Sequence, residues 1–221
     1  VREGAIGKVR KIMVEYVQGW LSRAEEHSGN VQASWRTDPS RSGAAGCMGD
    51  IGTHAAHLAE YVSGLKIQEL CADLNIVVSG RALDDDGNVL LKFEEGVSGT
   101  LVASQIAAGE ENNLTLRIYG EKGGIEWRQQ EPNTLILKRL DSPAEVLRTG
   151  VGKLSSYAMA NTRTPGGHPE GYLEAFANLY KNFALTLMAM RERQQPSLEM
   201  MDFPTVYDGV RGMAFIENVV A

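Results

Sequence analysis

The chain has 221 residues, enough for one large domain with a core of its own or at most two small ones. Hydrophobic residues make up 43% and charged residues 23%, the balance of an ordinary globular protein. A net charge of −6, with no basic stripe interleaved with aromatics, argues against nucleic-acid binding through phosphate neutralisation. No apolar run approaches the roughly 20 residues that a membrane span needs. The first twelve residues mix charge with glycine, unlike a signal peptide. Cys47 and Cys71 have neither a disulfide-framework nor a thiolate-metal spacing, so they read as free thiols of a reducing, cytoplasmic compartment. The chain opens on Val1, and 1–7 reads as the close of a helix followed by a turn, as if cut from something longer.

In chain order, 11–16 alternates polar and apolar residues and predicts a strand with one buried face. An irregular stretch follows to Gly49, punctuated by Gly19, Gly29, Pro39, Gly43 and Gly46; a loop this long in a compact domain is usually functional. A helix is predicted over 50–61, closed by Ser63-Gly64. Period-two patterning then predicts strands at 67–77, 89–93, 99–106, 114–119, 124–129 and 134–139. Their links are short, which favours antiparallel neighbours, and Asp86-Gly87 is a hairpin signal. The Asp84-Asp85-Asp86 run reads as a solvated turn rather than a calcium loop.

After a second irregular stretch over 153–169, a helix is predicted over 170–194. Its apolar set, Leu173, Phe176, Ala177, Tyr180 and Ala184, has the spacing of one buried face. A last helix is predicted over 205–219, with Pro204 at its start. Strands grouped together and helices grouped together predict an α+β fold: an open, predominantly antiparallel, six-stranded sheet with helices on one face. The second face is mildly apolar on the strands, where Thr115 and Tyr119 alternate with Leu114, Leu116 and Ile118. It is therefore expected to make a homodimer or homotetramer.

Chemistry concentrates in Gly49-Asp50-Ile51-Gly52-Thr53-His54-Ala55-Ala56-His57. On an uninterrupted helix, positions i, i+4 and i+7 share a face, so Asp50, His54 and His57 would point the same way among small neighbours. A carboxylate beside an imidazole can move protons. Three alternatives stand beside this: Asp50 as a helix N-cap, the histidines as core residues, and Asp50, His54 and His57 as a metal-binding facial triad.

The Asp-Ile-Gly-Thr-His run at 50–54, its glycine-rich approach and the preceding Trp35-Arg36-Thr37-Asp38-Pro39 resemble the C-terminal domain of the Gfo/Idh/MocA oxidoreductases. So do Leu116-Arg117-Ile118-Tyr119-Gly120-Glu121-Lys122-Gly123, Gly167-His168-Pro169-Glu170-Gly171-Tyr172 and Pro204-Thr205-Val206-Tyr207-Asp208-Gly209, in that order. The resemblance implies that 1–221 is a single substrate-binding and oligomerisation domain. Its partner would be its own N-terminal Rossmann domain, absent here, which binds NAD or NADP and carries a catalytic lysine. It implies oxidation of a secondary alcohol of a sugar, inositol or related polyol, with Asp50 and His54 catalytic and no metal. Tyr16, Trp35, Arg36, His57 and His168 are the expected substrate contacts, with Gln18 and Trp20 as further candidates. Trp35 could stack on a sugar ring and Arg36 donate to its hydroxyls. The family often carries Asp where this chain has His57. Gly120-Glu121-Lys122-Gly123-Gly124 is not a dinucleotide turn, because it joins two strands instead of opening a helix. A non-catalytic oligomerisation or regulatory module on the same scaffold is the competing reading.

Overall fold

The computed structural model describes residues 1–221. Eight strands form one sheet: β1 (Val9–Val17), β2 (Ile67–Asn75), β3 (Asp86–Phe93), β4 (Ser98–Ser104), β5 (Asn113–Gly120), β6 (Gly123–Arg128), β7 (Thr134–Arg139) and β8 (Glu145–Arg148). Their spatial order is β2-β3-β4-β1-β5-β6-β7-β8. The α+β, mostly antiparallel, open sheet is as expected, but it has eight strands rather than six. The added members are β8, too short for its alternation to register, and β1, which joins the same sheet.

β1 lies between β4 and β5, parallel to the first and antiparallel to the second. Thus β4 and β5, though joined by a short link, are not neighbours. The link needs to span only two strand spacings, roughly 10 Å, which a few residues cover. The expected Asp86-Gly87 turn is also absent: both residues pair within β3, opposite Asn75 and Leu74.

One sheet face is the core. Ile12, Val14 and Tyr16 of β1, Leu101 and Ala103 of β4, and Leu114, Leu116 and Ile118 of β5 are buried on it. It is covered by α3 (Thr53–Ser63), whose Ala55, Ala56 and Ala59 let the helix lie close to the strands. α3 ends at Gly64, whose left-handed φ of 76° is the conformation a helix C-terminus favours in glycine. Phe215 and Val219 of α6 (Val206–Val219) complete the layer. The opposite face is more charged than expected, carrying ion pairs of Glu15 with Arg117 and of Glu126 with Arg128 and Lys138.

Three short helices, α1 (Val31–Arg36), α2 (Pro39–Ser42) and α4 (Ser156–Asn161), lie in the stretches expected to be irregular. The long helix α5 (Tyr172–Arg191) reverses its predicted orientation. Leu173, Phe176 and Tyr180 are exposed, and the buried residues are Asn182, Thr186 and Ala189. The reason is hydrogen bonding: Asn178 donates to the Asn161 carbonyl (2.7 Å), Asn182 to that of Asp202 (3.2 Å) and Thr186 to that of Met200 (2.8 Å). The polar stripe satisfies loop carbonyls, which leaves the apolar stripe outward.

α6 is tied to α3 by Arg211, whose guanidinium grips the buried Glu60 carboxylate, with Nε to Oε2 at 2.8 Å. Burial by itself would raise the Glu60 pKa. Arg211, the Ile67 amide and Lys66 outweigh it and hold the carboxyl below its ordinary 4.5. A depressed folded-state pKa contributes stability that is fully present above 4.5 and disappears as pH falls through the lower, folded value. We expect Arg211→Met to cost about 2 kcal/mol at neutral pH, less than for a fully buried pair because Arg211 is partly solvated. Urea unfolding should show this deficit shrinking as the pH is taken below that range; a pH-independent difference would contradict it.

Candidate active site

The site begins where the one parallel strand pair ends. The β1–β4 register closes at Val17 opposite Ser104, and the Gln18 amide donates to the Ser104 carbonyl at 2.8 Å. Gln18 and Gln105 therefore leave the sheet side by side. The third wall is the start of the covering helix, delivered by the glycine-rich segment 43–49. This segment is pinned by the buried carboxylate of Asp84, which accepts from Gly46 N (2.6 Å), Met48 N (2.8 Å) and the Cys47 thiol (3.2 Å). A Cβ on Gly46 would collide with the Asp84 carbonyl, so glycine is required there. Burial, reinforced by the adjoining Asp84 carboxylate, pushes the Cys47 thiol pKa far up and keeps it an unreactive SH group.

Met48–Gly52 forms one π-turn, after which α3 proceeds as an α-helix. π-turns inside helices concentrate at functional sites, because the widened turn re-aims the side chains around it. Here it brings Asp50 and His54 into a shallow cleft of about 440 Å³ lined also by Tyr16, Gln18, Trp20, Gln32, Arg36 and Asn112.

Asp50 is half-buried, and its Oδ2 takes two donors, Arg36 Nε at 2.9 Å and Gln105 Nε2 at 2.7 Å. Oδ1 has no partner within the chain. Arg36 is held in turn by Gln32 (Nη1 to Oε1, 2.7 Å) and lies 4.1 Å from the Trp35 ring centroid and 5.7 Å from that of Trp20. His54 is exposed and makes no hydrogen bond to Asp50; its ring meets the edge of Tyr16 at 6.3 Å between centroids. The cleft thus offers an unengaged carboxylate oxygen, a free imidazole and an aromatic wall to a small polar molecule.

Comparison with known proteins sharpens this. Residues 1–126 match the GFO/IDH/MocA C-terminal domain. The chain belongs to the GFO/IDH/MocA family. It is 32% identical over its whole length to an uncharacterized oxidoreductase, YfiI, of Bacillus subtilis (strain 168), of which it covers 56%. Its fold superposes on an inositol dehydrogenase homolog from Azotobacter vinelandii, complexed with NAD+, with a TM-score of 0.92 and 30% identity over 99% of this chain and 57% of that one. It is likewise similar to an oxidoreductase from Sinorhizobium meliloti, with a TM-score of 0.85 and 40% identity over 99% of this chain and 56% of that one. The chain therefore spans little more than half the length of these relatives.

Within this GFO/IDH/MocA domain, the fold gathers Asp50, His54, Tyr16, Arg36, Gln18 and Trp20 and disperses the other expected residues. Trp35 stands behind Arg36, outside the cleft lining. His57 turns to α6, where its Nε2 is 3.7 Å from Asp208, and lines a separate cleft between α3, β2 and α6. The shared face expected for Asp50, His54 and His57 does not form: the π-turn shifts Asp50 relative to α3, and within α3 His57 lies about 60° round the helix from His54, on the side facing α6, so there is no facial triad. His168 sits on an exposed loop, its Nδ1 3.2 Å from the Pro165 carbonyl, and is not in the cleft. That loop is shaped by Glu170, which accepts from the amides of Arg163 (2.7 Å) and Thr164 (2.6 Å).

Sequence reasoning missed Gln105, Gln32, Asn112 and Asp84. The Asp84-Asp85-Asp86 run is structural rather than solvated: Asp85 accepts from Val77 N and Val78 N at 2.8 and 2.9 Å and pairs with Arg81 at 3.1 Å. The available signal was a carboxylate run too long for a tight hairpin. We expect Asp84→Ala to strand two buried amides and destabilise the domain by about 3 kcal/mol. Urea unfolding measures the loss, and new protease cleavage within 43–52 should accompany it. A loss under about 1 kcal/mol with no new cleavage would contradict the anchoring role.

Proposed function

We propose that this domain is the substrate-binding part of a nicotinamide-dependent dehydrogenase that oxidises a secondary alcohol of a sugar, inositol or related polyol. The observation that carries the reading is the cleft itself, where Asp50 Oδ1 and the His54 ring stand free while every other side of Asp50 is committed. The Azotobacter homolog has also been solved with NADH and myo-inositol, at 29% identity to this chain and a TM-score of 0.85.

The residues present do not fit a dinucleotide. Gly123-Gly124 opens β6 rather than a helix, and the glycine-rich segment that does lead into a helix, 43–49, follows α2 and not a strand. We assign NAD or NADP to a second, Rossmann-type domain, with this chain supplying the alcohol end of the chemistry. His54 accepts the hydroxyl proton. Asp50 Oδ1 accepts a hydrogen bond from a neighbouring hydroxyl and fixes the ring's orientation. Arg36 and the free amide of Asn112 donate to ring oxygens, and Trp20 offers an apolar face to the C–H surface of the ring.

Two uncovered surfaces suit the proposed partners. The outward stripe of α5, with Leu173, Phe176, Tyr180 and Phe183 exposed, is an apolar surface that we assign to the dinucleotide-binding domain. The open sheet face mixes ion pairs with exposed apolar residues such as Leu90, and we assign dimer or tetramer assembly to it. No helix is long and apolar enough to cross a membrane.

The full-length protein should reduce NAD+ or NADP+ with at least one member of a panel of inositols, pyranoses and anhydrosugars. His54→Ala and Asp50→Asn should each lower kcat/KM about 100-fold or more without loss of fold. No reduction with any polyol would instead favour a non-catalytic module on this scaffold.

A further inference from the structure

Gln105 is the most deeply buried polar side chain beside the cleft, at 2% exposure, and nothing in the motif announces it. Its backbone is held on both sides, with N donating to the Asp85 carbonyl at 2.9 Å and O accepting from Leu21 N at 3.1 Å. Its side-chain amide nitrogen lies 2.7 Å from Asp50 Oδ2 and 3.3 Å from Gln18 Oε1. Asp50 is an acceptor, so the Gln105 group facing it is the NH2 end, and its second N–H is left for Gln18.

That assignment propagates. Gln18 Oε1 accepts from both Gln105 and the Trp20 indole (2.9 Å), so Gln18 must present its own NH2 to Asn112 Oδ1 at 2.7 Å. Asn112 Oδ1 also accepts from the Tyr16 hydroxyl at 2.7 Å. The Tyr16 proton is thereby committed to Asn112, and the Asn112 NH2 remains free toward the cleft. One connected set of hydrogen bonds links Asp50 to Tyr16: Gln105 donates to both Asp50 and Gln18, and Asn112 accepts from both Gln18 and Tyr16, whose ring edge borders His54.

We infer that Gln105 is a positioning residue: it fixes which oxygen of Asp50 is free and, together with the Trp20 indole on Gln18, sets the donor and acceptor polarity of the opposite wall. The cleft then offers acceptors at Asp50 and His54 and donors at Asn112 and Arg36, a pattern that orients a ring bearing hydroxyls on adjacent carbons. This consequence for substrate rests on the dehydrogenase reading. The ordering of the hydrogen-bond chain does not.

Side-chain proton–nitrogen NMR spectra of this chain test it. In the wild type, the Gln105 amide protons should exchange with solvent far more slowly than those of the exposed Gln130. Gln105→Leu, and the isosteric Gln105→Glu should the first not fold, are expected to shift the Arg36 Nε–H and the Trp20 indole N–H together. The Trp127 indole, which donates to the Pro132 carbonyl at 3.1 Å, should not move. In the full-length enzyme, the same variants should lower kcat by at least about tenfold, because a misdirected carboxylate spoils the reactive geometry. Fast exchange at Gln105, or an unmoved Trp20 indole in a folded variant, overturns the positioning role. Intact coupling in a full-length protein that oxidises no polyol would overturn the dehydrogenase reading instead.

Discussion

The arrangement of the cleft depends on one buried carboxylate. Asp84 accepts from two consecutive-but-one amides and a thiol in the approach to α3, a segment with little side-chain bulk of its own to hold it. Without such an acceptor, Gly46 and Met48 would bury unpaired N–H groups, a cost comparable to a large share of a domain's net stability. With it, the chain enters the helix at a set angle, the π-turn forms, and Asp50 meets Arg36 and Gln105. Gly52 belongs to the same constraint, since a Cβ there would press on Met48 Sδ at 2.8 Å.

The second organising feature is the insertion of β1 between β4 and β5. It creates the only parallel pair of the sheet, and the cleft opens at the carboxyl ends of that pair. Open α/β sheets place ligands where strand order departs from chain order, because the connecting segments diverge there and leave a crevice. The cleft here takes the same position, at the carboxyl ends of the parallel pair, but in a mostly antiparallel sheet and without that divergence. The links after β1 and β4 stay joined, with Ala107 N donating to the Gln18 carbonyl (3.0 Å), Gly19 N to that of Glu110 (2.8 Å) and Leu21 N to that of Gln105 (3.1 Å), and the covering helix closes the third side.

The uncovered surfaces differ in chemistry. The open sheet face carries charge pairs across neighbouring strands, whereas α5 turns an apolar stripe outward because its polar stripe is needed to cap loop carbonyls. The two faces are therefore suited to different kinds of contact.

Period-two alternation, turn residues and the Asp-Ile-Gly-Thr-His run were enough to read an α+β domain with an antiparallel sheet and to single out Asp50, His54, Tyr16, Arg36 and Trp20, because these signals are local. Strand order, the placement of β1 and hence the meeting of Gln18 with Gln105 are long-range pairings that no periodicity encodes. Asp84 looked like a solvated turn because its acceptor role exists only once residues 46–48 are brought against it. His57 and the α5 face were misread for a related reason. A helical phase groups residues to within tens of degrees without showing which neighbour each one meets, here α6 for His57, and an apolar stripe shows that something covers it without showing whether this domain does. Local chemistry named the candidate groups; tertiary packing decided which of them face the same space.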